Sequence, residues 1–404
     1  MLLKLRIALT LGTALLGGLS GLCAHAQANT TVVTDPAPIA AGPVRVALLL
    51  PLHSGVFGAA ADAVRTGFLT AYEFDKQQIT VNIVETGDTA QQMLTAYTAA
   101  IAANDIVVGP LSRSGVTAVA QSGQVSKPTI ALTQPDLVSE VGIVLPQQLL
   151  LLGLSVEDEA RQVAQWVERE KTPGKIFTLS TSLSWQRRAA KAFSQQAQRM
   201  GMQVESLEVT SAGNALNAGG LAQLQQRLQA EKPALIFAAL DAAQAKQLRN
   251  AIGGEIPVYG TSQLNPLTLA DQATAVAAPK ADEISGVAAI ADNPVSEKLA
   301  DLNGVRFVDI PWQLQRDSVA VTTYPRRIVS AGEKHDADLE RLYALGIDAY
   351  RVARQLAGRR YVFDLDGATG KLSIDMQHGA TSMQRIETPG VYQDGLPVPL
   401  ADQR

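Results

Sequence analysis

Short apolar runs alternate with helical patterns along most of this chain. Val44 to Leu50 (VRVALLL) is a near-continuous apolar run, as expected of a strand buried on both faces. Ala60, Val64, Phe68 and Ala71 then recur at helical spacing. Within Thr80 to Val84, Val81 and Ile83 alternate with polar neighbours and predict a strand. Residues 89 to 103 predict a helix, and Asp105 to Val108 a strand that ends at Gly109-Pro110. A helix over 114 to 123 and a strand over Thr129 to Leu132 follow. This alternation marks an α/β domain with a parallel sheet.

A second cycle opens at Ser155, read as a helix N-cap with Asp158 three residues on. Ala160, Val163, Ala164 and Val167 form the apolar stripe of that helix. Strands are expected over Ile176 to Leu179, Val204 to Val209, Ala234 to Leu240 (ALIFAAL) and Pro257 to Thr261. Helices are expected over Trp185 to Met200, residues 221 to 230, and Ala242 to Ile252. Residues 264 to 300 are weakly periodic. Val305 to Ile310 predicts a strand, and Leu339 to Leu356 a helix with Leu342, Leu345, Gly346, Ala349, Val352 and Ala353 on one face. Leu372, Ile374 and Met376, then Met383 and Ile386, predict a hairpin around a Gln-His-Gly turn.

The first 26 residues break this pattern. Lys4 and Arg6 precede an apolar run from Ile7 to Leu22, and Ala24-His25-Ala26 supplies a small-x-small cleavage signature. We expect a signal peptide over residues 1–26, with cleavage after Ala26, and a flexible linker over residues 27–43 (QANTTVVTDPAPIAAGP). A retained membrane anchor and a lipoprotein are the alternatives. Ser20-Gly21-Leu22 before Cys23 is out of register for a lipobox, so an outer-membrane lipoprotein is the less favoured of the two readings of the cysteine. Cleavage would take the net charge from −4 to −6 and remove the only cysteine. No other stretch is apolar for long enough to predict a membrane span.

Composition narrows the function. Of 404 residues 47% are hydrophobic and 18% charged, enough for sizeable cores and too many residues for one ordinary domain. A mildly acidic chain has no basic footprint for nucleic acid. One cysteine and four histidines give no disulfide framework and no histidine- or cysteine-rich metal site. No P-loop, dinucleotide glycine motif or nucleophile elbow occurs, and no cofactor is expected. The chain is read as non-catalytic.

Ligands of open parallel sheets bind beyond the carboxyl ends of the strands. Those positions here carry hydroxyls, amides and one arginine. The candidates are His53 and Ser54 after the first strand, Ser112, Arg113 and Ser114 after the third, and Thr133 and Gln134 after the fourth. Ser182, Asp241 and Ser262 are the candidates in the second cycle. Arg113 could hold a carboxylate or phosphate by two parallel bonds, at a helix start that favours an anion. The same residues have plainer roles. Ser114 and Asp241 read equally as helix caps, and Arg113 as an interlobe salt-bridge partner.

Several ordered stretches resemble the LppC-type penicillin-binding-protein activator family, within the type I periplasmic-binding-protein superfamily. They are VVGPLSRSGVTAVA (Val107 to Ala120), LGLSVEDEARQVAQ (Leu152 to Gln165), VYGTSQLN (Val258 to Asn265), LNGVRFVDIPWQL (Leu302 to Leu314), RLYALGIDAYRVA (Arg341 to Ala353) and DGATGKLSID (Asp366 to Asp375). The resemblance implies an α/β, two-lobed type I periplasmic-binding-protein fold, each lobe a mostly parallel sheet flanked by helices. It implies lobe one from 44–154 plus 313–361, lobe two from 155–304 plus 363–395, and crossovers near 154, 305–312 and 362. It also implies a periplasmic location and the stimulation of a peptidoglycan synthase as partner. The best-known member carries a helical-repeat domain before this region, which is not read here ahead of residue 44. Two functions are therefore expected in competition. One is a regulator of peptidoglycan synthesis acting by protein contact. The other is a solute-binding receptor for an amino-acid-like or cell-wall-derived small polar ligand in the interlobe cleft.

Overall fold

The structure is a computed structural model that describes residues 42–136, 145–277, 299–329 and 335–400. The expected signal peptide and almost all of the expected linker lie outside them. From Pro43 onward the chain forms one compact unit.

The first sheet is parallel throughout, in the order β2-β1-β3-β4-β5. Its strands are β1 (Val44–Leu50), β2 (Ile79–Glu85), β3 (Ile106–Val108), β4 (Thr129–Ala131) and β5 (Leu149–Leu151). The two-residue period of β1 explains its unbroken apolar run. Val46, Leu48 and Leu50 enter one core, and Ala47 and Leu49 enter the core on the opposite face. Helices α1 (Gly58–Phe74), α2 (Ala90–Ala103) and α3 (Arg113–Gln121) connect the strands. The long helix Ala337–Ala357 returns to this lobe and lies against α1. A Cβ on Gly346 would collide with the Val64 carbonyl, and one on Gly67 with the Tyr343 carbonyl. Glycine at both places lets the two helix backbones approach.

The second lobe holds α4 (Val156–Arg169), β6 (Ile176–Ser180), α5 (Ser184–Arg199), β7 (Val204–Glu208), the small hairpin β8 (Ser211–Ala212) and β9 (Ala215–Leu216), and α6 (Ala218–Glu231). Then come β10 (Leu235–Ala238), α7 (Ala242–Ile252), β11 (Val258–Gly260), α8 (Leu269–Ala277) and β12 (Arg306–Asp309). Ile236 and Ala238 of β10 face one core while Leu235 and Phe237 face the other.

The chain end departs from the expected division. β13 (Val362–Gly367), β14 (Gly370–Asp375) and β15 (Ser382–Ile386) form a separate antiparallel sheet. Phe363, Leu365, Leu372, Ile374 and Met383 turn their alternate apolar positions into the first core. Only β16 (Thr388–Gln393) and β17 (Leu396–Pro399) join the second sheet, in the order β17-β16-β12-β11-β10-β6-β7. Both run antiparallel; β17 is the edge strand, where Pro397 and Pro399 are tolerated, and Pro389 stands near the start of β16, before its first pair with β17.

Candidate functional site

The strand-end loops meet between the lobes, and most of their polar groups are engaged by the protein itself. Ser54 accepts the backbone N–H groups of Val56 and Phe57, a turn contact, and His53 is an exposed side chain paired with Glu85. Ser112 is the N-cap of α3, accepting the Gly115 N–H at 3.2 Å. Ser114 lies exposed in the first turn of α3, and Ser182 is exposed after β6. Asp241 caps α7 by accepting the Gln244 N–H at 2.8 Å, and the Gln244 side chain closes the capping box.

Arg113 bridges instead of pointing into open space. Its Nε donates to Asp136 at 2.8 Å and Nη2 to the Pro135 carbonyl, while Nη1 lies 3.9 Å from Glu157 of α4, in the other lobe. Glu157 is also held by Arg188 of α5 at 2.7 Å. Gln134 reaches Asp158 of the second lobe at 3.4 Å. The Thr133 backbone packs on Gly153, leaving no room for a Cβ there.

Behind this rim lies a buried charged cluster that sequence reasoning missed. Arg341 of the long helix is 5% exposed and Asp309, at the end of β12, is fully buried. Arg341 donates Nε and Nη2 to the two Asp309 oxygens at 3.0 and 2.7 Å, a bidentate pair between lobes. Its Nη2 also reaches the carbonyls of Ser262 and Asn265, and Nη1 reaches Asp338. Asn265 donates to Asp309 at 2.8 Å. Ser262 is thus a backbone strut. Its carbonyl takes Arg341 and its N–H donates to Glu159 of α4 at 2.8 Å.

Burial dominates the electrostatics. It pushes the Glu159 carboxyl up to about 7, with Asp309 adding to the rise and the Ser262 N–H opposing it. Burial, with the nearby Glu159, also holds Glu387 well above the carboxylate range. Burial works against the Arg341 charge, but Asp309 overcomes it and the net shift is upward. Arg385 of β15, half-buried, donates to the Leu152 and Gly153 carbonyls and to Thr369, pinning the segment after β5. The available signal was a charge inside an apolar run, as in Arg306-Phe-Val-Asp309-Ile-Pro-Trp312.

A cleft of about 380 Å³ remains beside the cluster, lined among others by Asp241, Gln263, Asn265, Asp336, Asp338 and Arg341. Three carboxylates and three side-chain amides, from Asn214, Gln263 and Asn265, share its wall with Arg341. No helix among the described residues is long and apolar enough to cross a membrane.

Comparisons with known proteins agree with this architecture. The penicillin-binding protein activator LpoA of Photobacterium profundum is 28% identical over 352 residues, covering 82% of this chain and 53% of its own length. The chain therefore spans about half the length of that curated relative. A structure of a putative branched-chain amino acid ABC transporter from Chromobacterium violaceum is 32% identical with a TM-score of 0.63, covering 86% of this chain and all of that one. The C-domain of LpoA from Haemophilus influenzae, described as a regulator of PBP1A, is 22% identical with a TM-score of 0.63, over 88% of this chain and all of the domain. That likeness shows the type I periplasmic-binding-protein-like fold. The family model described as LppC putative lipoprotein matches residues 40–387, most of the sequence, and the chain belongs to that family.

Proposed function

We propose that the chain is a non-catalytic regulator of peptidoglycan synthesis on the periplasmic side of the envelope, acting by contact with a peptidoglycan synthase. The observation that carries this reading is the Arg341–Asp309 bridge. It ties the lobes through a buried bidentate pair at 2.7 and 3.0 Å, so the strand-end groups serve as internal struts. A receptor that parted the lobes at this seam would have to separate that pair, and the hydrogen bonds from Arg341 to the Ser262 and Asn265 carbonyls, at each cycle. A fixed frame suits a protein whose surface is the working part. The LpoA relatives are named as activators, in keeping with this reading.

The test is the rate of glycan polymerisation and cross-linking by a purified bifunctional synthase, with and without this chain. An increase that saturates with the chain supports the proposal, and an unchanged rate across a saturating series refutes it.

The cleft beside Arg341 favours a second reading, a receptor for an amino-acid-like or cell-wall-derived ligand. Asp241, Asp336 and Asp338 would take the ligand's amino group. A thermal-shift screen of amino acids, peptides and muropeptides separates the two, because a ligand at 100 times its Kd adds about 2.7 kcal/mol.

A further inference from the structure

A second concave site lies between α8 and the segment 316–327, next to the cleft beside Arg341, with His335 on the wall of both. Three guanidinium groups, Arg316, Arg326 and Arg327, line a pocket of about 290 Å³ together with Leu269 and Ala273. Among the described residues its lining holds one carboxylate, Glu340. Glu340 is buried and already accepts the Trp312 indole N–H at 2.9 Å. Arg327 Nε lies 3.4 Å from the other Glu340 oxygen, yet this buried Nε donates no hydrogen bond. The guanidinium carbon of Arg326 sits over the Trp312 ring, 4.0 Å from its centroid, with Nη1 donating to the Trp312 carbonyl. That clamp fixes one edge of the guanidinium and leaves the rest of the fork to the pocket. Thr268, at the pocket edge, is closed off by its own bonds to Asp271.

Positive charge is therefore concentrated in a small, partly buried space, where like-charge repulsion and desolvation both act against it. Arg326 feels both, its pKa lowered first by burial and further by Arg316, with Glu340 opposing. Arginine does not relieve such strain by losing its proton. An anion relieves it, and the Arg326 fork held by Trp312, with two more guanidinium groups beside it, suits an oxyanion with two or three oxygens.

We infer that the pocket between α8 and residues 316–327 binds a small oxyanion, a carboxylate or phosphoryl group, held by Arg316, Arg326 and Arg327. The apolar wall of Leu269 and Ala273 admits a short organic body behind the charged group, and the volume excludes a large one. The inference does not depend on the regulator reading, since it concerns a different set of side chains and a different ligand chemistry.

Isothermal titration of the whole chain with inorganic phosphate, and separately with succinate, tests it at constant ionic strength. Saturable binding of either probe is expected, and which probe binds tells phosphoryl from carboxylate recognition. Arg316→Gln, at an exposed position, and Arg327→Gln should each weaken that probe about tenfold, the loss of one charge-assisted contact. Arg188→Gln, in the other lobe, should leave it unchanged. Absence of saturable heat for both probes up to about 20 mM, a concentration at which even a millimolar site is mostly filled, overturns the inference. So does full affinity in the Arg316→Gln and Arg327→Gln double variant.

Discussion

Arg341→Met removes one half of the interlobe bridge while keeping most of the side-chain length. Asp309, fully buried, is then left with the Asn265 amide and its neighbour's backbone N–H as donors and no cation. The carbonyls of Ser262 and Asn265 lose a donor as well. Breaking a buried pair by removing one partner costs about 3–5 kcal/mol, much of it from the uncompensated charge. Urea unfolding followed by circular dichroism should show that loss as a lower midpoint at an unchanged m-value. The double variant Arg341→Met/Asp309→Leu removes both charges, and apolar replacement of a buried pair is close to neutral. It should recover more than half of the loss. A single-variant cost below about 1 kcal/mol would place the pair in the class of solvent-screened surface bridges. That result, or a double variant worse than the single, would refute the account of the bridge.

Glu159, Gly346 and Arg113 each carry a further prediction. The Glu159 carboxyl sits near 7 in the fold against 4.5 for the free group, so protonation favours the folded state. Its contribution is complete below pH 4.5 and is lost as the pH rises through 7, a swing of roughly 3 kcal/mol. Glu159→Gln, which keeps an acceptor for the Ser262 N–H, should flatten the fall in urea midpoint between those limits, and an unchanged slope would contradict the assignment. Gly346→Ala drives a methyl into the Val64 carbonyl and should cost about 1–3 kcal/mol as overpacking, read as a lower Tm; a raised Tm would show that the helices separate freely. Arg113→Ala removes a contact whose side chain is 30% exposed and spans 3.9 Å to Glu157, so stability should fall by no more than about 1 kcal/mol. If a small ligand is found, unchanged affinity in this variant would exclude Arg113 from its site.

Much of the fold was legible because period and burial agree. Val44–Leu50 and Leu235–Ala238 are apolar at every position that two cores require, and Ala242–Ile252 is bounded by its own cap. β5 was missed because three leucines between turn residues carry no period of their own. β16 and β17 were missed because their prolines argue against strands, a rule that relaxes at an edge strand such as β17 and near the start of a strand, where Pro389 stands in β16. The late hairpin was read correctly, but its partner core could not be, since alternation gives a face and not the surface it meets. For the candidate site, the strand-end hydroxyls and amides fall on loops between the lobes, where Ser112 and Asp241 act as helix caps. What those loops contact depends on how the second lobe is set against them. Arg341, Asp309 and Glu159 come from three distant stretches, and nothing local marks them as one cluster.

Contact with a synthase is the central claim, and equilibrium binding measures it most directly. The purified chain would be titrated against the immobilised periplasmic part of a bifunctional peptidoglycan synthase. We predict saturable binding that does not require any small molecule and that persists in Arg113→Ala. No measurable binding to any synthase at tens of micromolar would contradict the account.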